Sequence, residues 1–178
     1  PLRLELTMAL AEHLGLTPDV QNVAFEQLLE AVAAGGQCDI SIAGQFITSA
    51  RLEQVDMIPY REGAPHVIVR EGNPEAIESF DDLCGRGFSV VAETIYADIV
   101  RGQGDYTGVG IQDRCANIGA QPVQLVEFTT EEEAQRALAQ GDVDAYAGND
   151  FVTVDRPNTF DLAFELPRTR NGIGHTKG

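Results

Sequence analysis

Apolar residues in the first part of the chain recur at helical spacing, broken by short runs that read as strands. Over residues 4–14 the set Leu6, Met8, Ala9, Leu10 and Leu14 marks an amphipathic helix closed by Gly15. Residues 19–24 read as a strand. Phe25, Leu28, Leu29 and Val32 follow at i, i+3, i+4 and i+7, which predicts a helix with one buried face, stopped by Gly35-Gly36. A short apolar strand over residues 39–43 comes next. Helix, strand, helix, strand is the order of a right-handed α/β winding with a parallel sheet.

Residues 64–70 (APHVIVR) read as an extended β segment, and residues 88–92 as a strand whose end, Glu93-Thr94, opens a helix containing Ile95, Ile99 and Val100. Residues 111–118 are predicted helical and residues 124–128 a strand. The helix over residues 129–139 carries a capping box, either Thr129 with Glu132 or Thr130 with Glu133, and Gly141 is its stop. Residues 160–166 and 172–177 complete the set as β segments.

Composition narrows the function classes. Twenty-eight acidic residues against 12 basic ones give a formal charge of −16, which argues against nucleic acid or an anionic membrane surface as a partner. No apolar run approaches a membrane span, and no leader with a small-residue cleavage site opens the chain, so it reads as a mature or trimmed segment. His13, His66 and His175 have no spacing suited to a metal or a catalytic triad. The glycine-rich stretch over residues 101–110 lacks the Gly-Lys-Ser/Thr of a phosphate cradle, and the acidic run Glu131–Glu133 suits a helix start rather than a metal. No cofactor and no metal are expected. Cys38, just before an apolar strand, reads as a small core residue.

The candidate chemistry lies in residues 38–60, CDISIAGQFITSARLEQVDMIPY. A strand runs into a Gly-containing turn that leads to Thr48, Ser49 and Arg51 at the start of a helix. Such a turn lies at the carboxyl end of a strand, where open α/β sheets bind ligands, and it offers hydroxyls, backbone N–H groups and a guanidinium fork. This wording resembles the signature loop of the polar amino-acid solute-binding proteins of ABC transporters, the bacterial extracellular solute-binding proteins of family 3.

The resemblance implies an α/β, two-lobed periplasmic-binding-protein type 2 (Venus flytrap) fold with parallel-rich sheets flanked by helices. Lobe one would be residues 1–66, lobe two 67–165, and residues 166–178 would return into lobe one, with residues 64–70 and 160–166 as hinge strands. Pro1-Leu2-Arg3-Leu4-Glu5 stands where the family has Gly-Phe-Asp-hydrophobic-Asp after a first strand, so lobe one is expected to be incomplete and the chain truncated at both ends.

The resemblance also assigns roles. Arg51 would grip a ligand α-carboxylate, with Gly44, Phe46 and Thr48 in the same turn; Phe46 replaces a hydroxyl residue and either lines a pocket or packs in the core. Thr94 keeps a hydroxyl of the second lobe, while Glu93 replaces a glycine, either pointing away, altering specificity or serving as a favourable charge at a helix start. In GDVDAYAGND, Asp144 would be structural and the ligand amine would meet Asn149 or Asp150, unless that pair caps the next helix. A Cys84–Cys115 disulfide is implied, and with it an oxidising, extracytoplasmic compartment, periplasm or cell-surface lipoprotein.

The implied function is capture of a small polar ligand, an amino acid or related compound, between the lobes, and its delivery to an ABC-transporter membrane permease. Two other classes share the fold: a ligand-sensing domain of a receptor, and a dehydratase-like enzyme in which Glu93 would act as acid or base.

Overall fold

The computed structural model describes residues 2–33, 37–63, 65–149, 156 and 158–178. Its contacts divide the chain into two units, Pro1–Glu62 with Thr169–Gly178, and Gly63–Arg168.

The first unit opens with α1 (Leu2–Leu14). Gly15, at φ +68°, ends it: Gly15 N–H donates to Glu12 O (3.1 Å) and Leu16 N–H to Ala11 O (2.9 Å), the paired bonds of a glycine-terminated helix. The helix was expected; the burial of its apolar side is only partial, with Leu6 and Leu10 half-buried. Ala11 is buried, but Leu4, Met8 and Leu14 are each more than half exposed. Residues 19–24 do not form the expected strand. They belong to no helix or strand, and Val20 is 61% exposed. Alternating apolar residues make a strand only when a neighbouring strand takes their N–H and C=O groups, and no described segment does so here.

The predicted helix from Phe25 is a 3-10 turn (Phe25–Gln27) running into a short α2 (Leu28–Ala33) that buries only Ala31 and Val32. Its proposed stop, Gly35-Gly36, lies outside the described residues. Strand β1 is Ile40–Ser41, and Cys38 before it is half-buried rather than a core residue.

After the four-residue α3 (Ser49–Leu52), strand β2 (Asp56–Gly63) was not anticipated. Pro59 and its charged neighbours blur the alternation, and both suit an edge strand, which β2 is. Among the strands of this unit the order is β1, β8, β2, with β8 (Thr169–His175) central and antiparallel to β1. The parallel winding expected for this lobe is therefore not its pairing. Gly172 fits the centre of β8 because a Cβ would come within 3.0 Å of Ile47 and Met57. The chain's last residues tie helix ends down: Thr176 Oγ1 donates to Val32 O (3.1 Å) and Lys177 Nζ to Leu52 O (3.0 Å).

The second unit is a five-stranded mixed sheet in the order β5, β4, β6, β3, β7. Its strands are β3 (Pro65–Arg70), β4 (Gly87–Val91), β5 (Gln124–Phe128), β6 (Ala145–Asn149) and β7 (Phe160–Glu165). β4 runs parallel to β5 and to β6; β3 is antiparallel to β6 and β7. Helices α4 (Ile95–Arg101) and α5 (Ile111–Asn117) lie between β4 and β5 along the chain, and α6 (Glu131–Gln140) lies between β5 and β6. Of the two possible capping boxes the chain uses Thr130 with Glu133, and Gly141, at φ 80°, ends α6 as read.

Ile68, Leu138, Val143, Tyr146 and Phe160 form a core between sheet and α6. Each such side chain contributes roughly 1.5–3 kcal/mol by leaving water. Tyr146 reaches out of that core to donate its hydroxyl to Glu131 Oε1 (3.1 Å), and burial followed by the Glu131 charge pushes its phenol far above the ordinary range. Arg70 closes the other end of α6, donating to Val143 O at 2.9 Å and Leu138 O at 3.3 Å. Asp144 locks β4 to β6: its carboxylate accepts from Gly87 N–H at 2.9 Å, and its own N–H donates to Gly87 O at 2.8 Å.

Cys84 and Cys115 are joined by a disulfide that ties the 3-10 turn Asp81–Leu83 to α5. Beside it Arg114 pairs with Asp81 and holds that carboxyl below its usual range.

Candidate functional site

In the first unit the chain turns over residues 43–48, and this turn is pinned from β8. Ile47 N–H donates to Arg170 O (2.8 Å), Gly172 N–H to Gln45 O (2.9 Å), and Asn171 Nδ2 to Gly44 O (2.7 Å). Phe46, half-buried, forms an isolated antiparallel bridge with Asn171. Gly44 sits at φ +73°, a conformation glycine adopts at no steric cost.

Gln45, only 1% exposed, accepts a bond from Ser41 Oγ at 3.1 Å. A polar residue flanked by Gly44 and Phe46 carries no periodic signal of burial, and the sequence did not single it out.

Thr48 caps α3. Its hydroxyl oxygen accepts from Arg51 N–H at 3.3 Å, which leaves the hydroxyl proton available. Arg51 curls back over the turn and donates Nη1–H to Phe46 O at 2.7 Å. Its guanidinium also lies 5.8 Å from the centroid of the Phe25 ring, within range of a cation–π contact. Phe25, 37% exposed, stands on the helical face that the spacing assigned to the core. Its place beside Arg51 is a tertiary fact that periodicity could not carry. Gly44, Phe46, Thr48 and Arg51 thus share one turn, and a half-buried guanidinium is held there against Phe46 O and the Phe25 ring.

In the second unit, parallel pairing of β4 with β6 aligns their carboxyl ends. With Ser89 opposite Tyr146, Asn149 at the end of β6 and Glu93-Thr94 just past β4 stand at the same edge of the sheet. Asn149 is half-buried and pairs in register with Pro65. Thr94 is the N-cap of α4, but its hydroxyl proton goes to Val91 O at 2.6 Å, so toward a ligand it offers lone pairs rather than a proton. Asp150 lies outside the described residues.

Glu93 is exposed at φ +59°, the left-handed region that side chains with a Cβ enter at a cost of about 1–2 kcal/mol. That explains a glycine's usefulness at this position. Glu93→Gly is expected to raise stability by about 0.5–1 kcal/mol, the strain relieved less the entropy glycine adds to the unfolded chain. Urea unfolding midpoints would measure it, and a lower midpoint would show the strain to be absent.

Among the described residues no cluster of three His, Cys, Asp or Glu side chains could hold a metal, and no helix is long and apolar enough to cross a membrane.

The fold is that of known binding proteins. The arginine-bound form of truncated ArgBP from T. maritima superposes with a TM-score of 0.79 at 20% identity, over 98% of this chain and 76% of that one. AbpA from Streptococcus pneumoniae, an amino acid ABC transporter substrate-binding protein bound to L-arginine, gives 0.79 at 21% identity, over 98% and 70%. An ancestral amino acid-binding protein, a precursor of cyclohexadienyl dehydratase, gives 0.74 at 21%, over 99% and 71%. At such identities the likeness speaks for fold alone. No curated protein sequence matches the chain. A family model does: residues 2–107, more than half of the chain and inclusive of the whole Arg51 turn, match the bacterial extracellular solute-binding proteins, family 3, and the chain belongs to that family.

Proposed function

We propose that the protein captures a small amino acid-like ligand outside the cytoplasm and hands it to the membrane permease of an ABC transporter. The observation that carries this reading is the Arg51 turn. A guanidinium is held by Phe46 O and braced against Phe25, with the Thr48 hydroxyl at the same helix start, at the carboxyl end of β1. The planar fork of a guanidinium matches a carboxylate, and prior fixation lowers the entropy lost when the ligand binds. Asn149, or Asp150 after it, would meet the ligand amine. Glu93 and Thr94 stand at the edge that Asn149 shares.

Binding is favoured over dehydratase chemistry. The ancestral relative on the way to a dehydratase is itself described as an amino acid-binding protein. Glu93 is exposed rather than set in a pocket that would tune it as an acid or base.

Thermal melting against a panel of amino acids tests the reading. Ligand at a hundred times its dissociation constant adds about 2.7 kcal/mol to the native state. A raised melting temperature with one chemical class of amino acid is expected. A cooperative melt that no amino acid shifts would overturn the reading.

A further inference from the structure

A second guanidinium lies on the same turn. Arg3, from the first turn of α1, donates Nη1–H to Ala43 O at 2.9 Å, and its guanidinium carbon lies 3.7 Å from where a Cβ on Gly44 would be. Arg51 holds the carbonyl of Phe46, three residues further on. Ala43 and Phe46 can be at most roughly 11 Å apart along the backbone, so both cations serve one short stretch. Among the described residues no carboxylate pairs with Arg3, in a chain with 28 acidic residues against 12 basic ones. Arg3 is exposed, and one N–H on Ala43 O leaves most of its fork unspent.

We propose that Arg3 is a specificity-determining residue that receives a second anionic group of the ligand, so that the site selects an acidic amino acid over its neutral amide or a cationic one. This rests on the reading of the Arg51 turn as a carboxylate site: one guanidinium takes the α-carboxylate and the other the side-chain acid. Two cations flanking one turn repel a ligand with a basic side chain and leave a neutral one with an unmatched charge. In sequence Arg3 stands out only as a departure from the family wording, because its approach to Ala43 spans 40 residues.

The test is calorimetric titration of the whole chain with L-glutamate, L-aspartate, L-glutamine, L-asparagine and L-arginine, repeated on Arg3→Met and Arg3→Lys. One acidic amino acid is expected to bind roughly tenfold or more tighter than its own amide. Arg3→Met, which keeps the apolar stem, should bring that ratio close to one while leaving the amide's affinity within about twofold; Arg3→Lys should keep most of the preference. Equal binding of acid and amide, tightest binding of L-arginine, or an Arg3→Met variant that weakens acid and amide alike would overturn the proposal; the last would make Arg3 a clamp on the turn. No binding of any of the five by the unaltered protein would instead overturn the reading of the site itself, and the proposal with it.

Discussion

Arg51→Ala is expected to cost about 2–4 kcal/mol of ligand affinity, roughly thirtyfold to a thousandfold, with the secondary structure unchanged. The magnitude follows from what truncation leaves behind: a ligand carboxylate out of water with its ionic partner gone. Stability should fall much less. Arg51 donates to Phe46 O and lies over the Phe25 ring, and without it the turn keeps its three bonds to β8. Arg51→Lys separates fork from charge, since an ammonium keeps the charge but not two parallel N–H bonds, and an intermediate loss is expected. Calorimetric titration beside circular dichroism would check both variants. Unaltered affinity in Arg51→Ala would remove Arg51 from the site.

The disulfide should dominate the stability of the second unit. Cys84 and Cys115 are 31 residues apart in the chain, and cross-linking a loop of that length removes chain entropy from the unfolded state worth about 3–4 kcal/mol. That is a large fraction of the stability of a domain this size. The double variant Cys84→Ala, Cys115→Ala is therefore expected to melt markedly lower, and the unaltered protein under reductant should do the same. The Asp81–Arg114 pair beside the bond is exposed and cannot replace it. Identical melting with and without reductant, or two free thiols at these positions by mass spectrometry, would contradict the expectation. Dependence on the bond would also fit an oxidising compartment.

The second unit was legible almost element by element because its signals are local. A capping box at Thr130 and Glu133, a glycine stop at Gly141 and the apolar run of β4 each declare themselves within a few residues. In the first unit α1, β1, β8 and the turn residues Gly15, Gly44 and Thr48 were legible, while the pairing and packing of its elements were not. Residues 19–24 have the composition of a strand without a described partner, and α1 has a helical spacing whose apolar side is only partly covered. Both are questions of what lies alongside, which periodicity does not answer.

Within the site the residues of the Arg51 turn were found as a contiguous motif. Arg3 and Phe25 were not, because each is brought to the turn by tertiary contact, and the burial of Gln45 within the turn has no periodic signal. The Cys84–Cys115 pairing rested on family resemblance, since the spacing of three cysteines does not choose among pairs.

Carboxylate binding by Arg51 is tested by calorimetric titration with the best-binding amino acid of the melting panel and with the same amino acid carrying a carboxamide in place of its α-carboxylate. The free acid should bind and the carboxamide should bind at least roughly thirtyfold more weakly, with Arg51→Ala erasing most of that difference. Equal affinity for acid and carboxamide would contradict the account.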